Sequence, residues 1–147
     1  MDQRLILLRS LSTKMGNLAK LRNVVSGKQG WISSVRQALG MTARQLAGRL
    51  GLSQPRVAKM EINEDNLKIS TMKKIAEGLD CDFVYGFVPK TSLQDTIDRQ
   101  ARKKASDVLS KVNANMALED QLAQAPHIMI DLANEMIAKN IKQIWDE

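Results

Sequence analysis

Residues 41–61 read MTARQLAGRLGLSQPRVAKME, and the break at Gly51-Leu52-Ser53 separates two short helical patterns. In the first, Thr42 is a residue that caps helix N-termini, and Leu46, Ala47 and Leu50 fall on one helical face. Gly51 can adopt the positive φ that ends a helix and turns the chain, leaving Leu52 to plug the core below. The second pattern starts at Ser53, carries Pro55 in its first turn where a missing N–H costs nothing, and points Val57 and Met60 inward together. Two helices joined by so short a turn form a helix-turn-helix.

On the outer face of the second helix stand Gln54, Pro55, Ala58 and Lys59, with Arg56 at the flank. Gln pairs bidentately with adenine in the major groove, Lys and Arg pair with guanine, and Pro55 and Ala58 suit thymine methyl groups. Gln54, Pro55, Arg56 and Lys59 are therefore the candidate base-reading residues. The competing reading is a helical hairpin whose polar face is merely solvated.

Charge favours the first reading. Residues 1–60 hold 11 Lys and Arg and one acid, Asp2, whereas residues 61–147 hold 11 Lys and Arg against 15 acids. From Gln3 to Met60 there is no acidic residue at all. A basic half that contains the reading helix is the electrostatic footprint of a phosphate-binding module, so double-stranded DNA is the expected partner.

Outward from the motif, WISSVRQAL at 31–39 and TMKKIAEGL at 71–79, the latter behind Ser70, read as further helices. The next stretch, CDFVYGFVP, alternates Phe83, Tyr85 and Phe87 with Val84, Gly86 and Val88. It predicts a short β-strand over 83–88, ended by Pro89. A lone strand leaves its backbone groups unpaired. Its partner would be either residues 23–25 or the same strand of a second subunit, which would space two reading helices one DNA turn apart.

The stretch 31–89 resembles the lambda-repressor and Cro-like DNA-binding domains, departing from them where a fifth helix would follow. The resemblance implies an ion pair between Arg36 and Glu61. It also implies phosphate contacts from Thr42 and Arg44, from Ser53 at the start of the second helix, and from Ser70 with Lys73 and Lys74 at a helix N-terminus.

Over nearly its whole length the chain resembles a narrower bacterial group, the mobile mystery protein A family. The resemblance rests on GWISSVRQALGMTARQLAGRLGLSQPRVAKME, on LDCDFVYGFVPK, on MALEDQ at 116–121 and on the terminal Trp145-Asp146. It implies a regulator carried on mobile elements beside a Fic-domain protein, as in a toxin–antitoxin pair. The helix by which a separate Fic-controlling family plugs its partner, Ser or Thr, three residues, Glu, then Gly or Asn, does not occur. Control through DNA is the expectation, and direct neutralisation of the Fic-domain partner is the alternative.

The N-terminal segment places Leu5, Leu8, Leu11 and Met15 at helical spacing, predicting an amphipathic helix to about Thr13 and a linker at 26–30. Lys14, Lys20, Arg22 and Lys28 make this region either a DNA arm or an ordinary packed helix. Residues 91–147 contain no Gly and predict two helices. One carries Ile97, Ala101, Ala105, Val108, Leu109 and Val112; the other starts at Pro126 and carries Met129, Leu132, Ala133, Met136, Ile137, Ile141 and Ile144. These stripes either cover the domain or present a Met-rich surface for dimerisation or a partner.

The expected architecture is thus mainly α: a basic N-terminal helix and linker at 1–30, a helix-turn-helix domain ending in a short strand at 31–90, and a helical dimerisation or partner region at 91–147. Catalysis is not expected. His127 and Cys81 are the only histidine and cysteine, so neither a His/Cys zinc set nor a hydrolytic triad assembles from them, and no glycine-rich phosphate loop occurs. The acids Glu61, Glu64 and Asp65 read as a solvated turn rather than a metal site, and no cofactor is expected. Cys81 can form no internal disulfide, no apolar run approaches a membrane span, and Arg9 interrupts any signal-like core, so the expected home is the cytoplasm.

Overall fold

The computed structural model describes residues 2–24, 27–113 and 126–147. Val25 and Ser26, read above as part of a strand partner and of a linker, and the block at 116–121 lie outside the described residues. The chain divides into two compact units, Asn17–Val88 and Met1–Gly16 together with Pro89–Glu147. The described secondary structure is helical: α1 (Gln3–Leu18), α2 (Gly30–Ala38), α3 (Ala43–Leu50), α4 (Gln54–Ile62), α5 (Ile69–Gly78), α6 (Leu93–Asn113) and α7 (Pro126–Asn140). Tight 3-10 turns follow α1, α4 and α7.

In the unit Asn17–Val88, one apolar residue from nearly every helix meets in a single core of Ile32, Leu46, Ala47, Val57, Ile75 and Leu79. Leu46 is fully buried, and Ala47 supplies the small side chain between α3 and its neighbours. Burial of one such leucine contributes about 1.5–3 kcal/mol. Where α5 ends, Asp80 takes φ 56°, and the Cys81 N–H reaches back to the Ala76 carbonyl at 2.8 Å. The chain leaves that cap without hydrogen bonds to guide it.

Two expectations fail in this unit. Residues 83–88 form no strand, and no strand exists among the described residues. The period-two pattern itself is present, since the Phe83 and Tyr85 rings stack with centroids 6.1 Å apart. A ladder requires a second segment, however, and no described backbone group bonds to residues 82–88. The other failure is the cap of α5. Lys68, with φ −66° and ψ 149°, precedes the first helical residue, so Ser70 lies inside the first turn rather than capping it.

In the other unit, α6 and α7 pack face to face over Ala101, Ala105, Ala133, Met136 and Ile144. Three of these five buried residues are alanines, and Met136 and Ile144 fill the rest of the seam. The Gln100 side chain donates to the Ile144 carbonyl at 2.7 Å, and the Lys104 ammonium to the Asp146 carbonyl at 2.9 Å, docking the C-terminal turn on α6. Of the two stripes read above as either covering the domain or presenting a surface for dimerisation or a partner, Ile97, Ala101, Ala105 and Val108 of α6 pack with Met129, Leu132, Ala133, Met136 and Ile137 of α7 and with Ile141 and Ile144. α1 runs on to Leu18, five residues past the predicted end. Among its side chains none is buried, and Leu5, Ile6 and Leu7 are exposed. No described helix is long and apolar enough to cross a membrane.

Candidate nucleic-acid interface

Each end of α3 and the start of α4 is held by the residue types the chain supplies there. Thr42 adopts an extended conformation, its hydroxyl oxygen accepts from the Gln45 N–H at 3.1 Å, and the Gln45 side chain accepts from the Thr42 N–H at 2.8 Å. Two otherwise orphaned donors are satisfied by this reciprocal pair. At the far end Gly51 sits at φ 68°, with its N–H bonded to the Gly48 carbonyl at 3.3 Å and the Leu52 N–H to the Ala47 carbonyl at 2.9 Å. That left-handed pair of bonds reverses the chain within two residues and delivers Leu52 to the core.

Ser53 then starts α4, its hydroxyl oxygen accepting from the Arg56 N–H at 3.4 Å. Val57 is buried, while Gln54, Pro55, Arg56, Ala58 and Lys59 are all exposed. α4 thus presents a polar, basic N-terminal half to solvent, with the positive end of the helix dipole beneath it. Thr42 and Ser53 each accept a cap hydrogen bond through the hydroxyl oxygen, which leaves the O–H as a donor. Arg44, Ser70, Lys73 and Lys74 are also exposed. Lys73 has a local partner, its ammonium lying 5.8 Å from the centroid of the Tyr85 ring.

α4 is anchored from behind by an ion pair. Arg36 of α2 donates through Nε to Glu61 Oε1 at 2.5 Å and through Nη2 to Oε2 at 3.2 Å, and its Nη1 donates to the Met41 carbonyl at 2.9 Å. Each side chain is only 13% exposed. The Glu61 carboxylate, bonded to the guanidinium, holds the Arg36 pKa above its usual value against the opposing effect of burial. One arginine therefore joins α2, the end of α4 and the loop before α3.

Sequence reading missed a second anchor. Glu64, in the 3-10 turn after α4, accepts from the Trp31 N–H at 3.0 Å and the Ile32 N–H at 2.7 Å, capping α2 from 32 residues away. Gly30 makes room for it: φ is +81°, and an added Cβ would lie 2.9 Å from Glu64 Oε2. The only local signal was a glycine at a helix start with no Ser, Thr, Asp or Asn to cap it. The acidic trio is thus no solvated turn, because Glu61 and Glu64 are both engaged. Among the described residues no group of three or more His, Cys, Asp or Glu could hold a metal ion. Arg49 is a further tie, its Nε donating to the Gly78 carbonyl at 2.7 Å and joining α3 to the end of α5.

Residues 32–85 match the helix-turn-helix family model. No curated protein and no solved structure matches the chain. The matched span covers α2 from Ile32 through α5 and ends at Tyr85, so the capped α3–turn–α4 geometry and the family agree on the same residues. The chain carries a helix-turn-helix domain, a type used by DNA-binding transcription regulators.

Proposed function

We propose that the protein is a sequence-specific DNA-binding repressor that acts as a homodimer on its own operon in the cytoplasm. The single observation that carries this reading is the exposed Gln54, Pro55, Arg56 and Lys59 face of α4, set on a buried Val57 and backed by Arg36–Glu61. Those four residues read bases, while Thr42, Arg44, Ser53, Ser70, Lys73 and Lys74 hold phosphates on either side. The acid-free stretch from Gln3 to Met60 supports it, since like charges concentrated around the reading helix attract a polyanion. That the operon lies on a mobile element and also encodes a Fic-domain protein, in a toxin–antitoxin arrangement, rests on the resemblance of the sequence blocks alone. Direct neutralisation of that neighbour by residues 91–147 has less support, because the apolar stripes of α6 and α7 pack on each other.

The test is a gel shift on the DNA upstream of the gene, beside an unrelated duplex, at two salt concentrations. A site-specific shift that survives higher salt and is lost in the Gln54→Ala/Lys59→Ala variant is expected. Lys59→Ala alone costs about 1–3 kcal/mol and relaxes specificity, whereas Lys74→Ala weakens both duplexes alike and lowers the salt slope by about 1. Equal, salt-sensitive binding to both duplexes by the unaltered protein ends the proposal.

A further inference from the structure

Resting on the reading of the protein as a DNA-binding regulator, we propose that Tyr85 belongs to its contact with the DNA backbone. The ring positions the Lys73 ammonium, and the phenol hydroxyl donates to the phosphate that Lys73 neutralises.

The path of the chain after α5 brings the two residues together. The Cys81 N–H bonds back to the Ala76 carbonyl at 2.8 Å, and Asp80 at φ 56° turns the chain. Asp82, Phe83 and Val84 then line one apolar groove with Met72 and Ala76, so the chain retraces α5 toward its start. At Tyr85 it reaches Lys73, whose ammonium lies 5.8 Å from the ring centroid. Packing holds the ring there in place of backbone hydrogen bonds. Phe83 stacks on it with centroids 6.1 Å apart and planes inclined by 26°. One residue further on, Leu18 lies so close to Gly86 that an added Cβ would meet its Cδ1 at 2.7 Å.

A competing partner stands near Lys73. Glu77 is one helical turn further along α5, at the spacing of an ion pair, yet no ion pair joins the two among the described residues. Lysine four residues before glutamate is the weaker order of such a pair, and Glu77 borders a surface depression with Arg49 and Lys74 instead. The difference matters for a polyanion. A carboxylate would cancel the lysine charge, whereas a ring attracts the ammonium and leaves that charge intact. The ring also removes in advance some of the rotamer freedom that a flexible lysine loses on meeting a phosphate.

Tyr85 is 62% exposed, and its hydroxyl has no hydrogen-bond partner among the described residues. A phenol offers one O–H donor, and tyrosine is among the side chains that bond phosphate oxygens. Beside Ser70, Lys73 and Lys74 it adds a neutral donor to a basic group. A neutral donor strengthens binding without releasing a counterion, which separates its signature from that of a lysine.

Fluorescence anisotropy of the full chain on the duplex upstream of its gene and on an unrelated duplex, over a salt series, tests this, with circular dichroism to verify folding. Tyr85→Phe keeps the ring and loses the hydroxyl, so it should bind both duplexes about threefold more weakly with an unchanged salt slope. Tyr85→Leu loses both and should bind about tenfold more weakly. In a Lys73→Ala background the same Leu substitution should cost only about threefold, because no ammonium remains for the ring to position, whereas a general loss of structure would cost the same in either background. Equal costs in the two backgrounds, a Tyr85→Phe protein that matches either the unaltered protein or Tyr85→Leu, or a Tyr85→Leu protein that binds as tightly as the unaltered one would each overturn the proposal. Tighter binding by Tyr85→Leu would also overturn it, by showing that the ring withholds Lys73 from DNA. Specific binding that is indifferent to Tyr85 ends this inference alone, whereas an unaltered protein that binds neither duplex ends the DNA-binding reading with it.

Discussion

Replacing Glu61 by Leu tests whether Arg36 clamps α4 or only decorates it. The substitution removes both acceptors of the guanidinium fork, leaving the Met41 carbonyl as its remaining partner. Breaking a buried pair costs about 3–5 kcal/mol, and the 13% exposure of the arginine side chain, which lets water reach it, argues for the lower end, about 3 kcal/mol. Arg36→Met costs a similar amount by stranding Glu61. The double variant buries no charge and leaves only the Met41 carbonyl short of a partner, a loss of about 1 kcal/mol. The two singles are therefore strongly non-additive. A unit the size of Asn17–Val88 has a stability of about 4–10 kcal/mol, so the singles remain folded but lose a large share of their margin. Urea unfolding followed by helical circular dichroism reads this directly, with the slope m unchanged. Because the Arg36 pKa is raised, its contribution is fully present below the unfolded value and is lost only as pH rises through the still higher folded one. The cost should thus show no alkaline decline up to about pH 10. A Glu61→Leu protein within about 0.5 kcal/mol of the unaltered one, or a double variant as unstable as the singles combined, would refute the clamp.

Glu64→Ala should cost about 2 kcal/mol by uncapping α2, and Glu64→Gln about half as much, since the amide keeps one acceptor oxygen. Faster hydrogen exchange at the Trp31 and Ile32 amides is the check, and unchanged exchange in Glu64→Ala would show the cap to be idle. On α7, Lys139 bonds the Glu135 carboxylate at 2.8 Å and lowers its pKa, while the lysine pKa rises in turn. The glutamate contribution is present above its unfolded pKa and fades as pH falls through the lower folded one. An NMR titration should find Glu135 below the ordinary glutamate value of 4.5, returning to it in Lys139→Ala; no return would assign the shift to another cause.

Local chemistry made the helix-turn-helix legible. Thr42, Gly51, Ser53 and Pro55 each have a conformational preference that acts within four residues, so α3 runs between the Thr42 cap and the Gly51 turn and α4 starts behind Ser53, as the sequence indicates. Nothing comparable marked α5, because Lys68 caps it with backbone conformation alone and Ser70 offered a better-looking start. Glu64 was illegible for a different reason. Its partners are backbone amides 32 and 33 residues away, and a backbone amide has no letter in the sequence. The acid therefore looked like part of a solvated turn when it was one of two carboxylates holding α2.

Residues 82–90 show where local reading stops. Alternation of aromatic and small residues dictates which side chains share a face, and the stacked Phe83 and Tyr85 obey it. It carries no information about whether a second segment lies alongside, because a ladder belongs to two segments and the pattern to one.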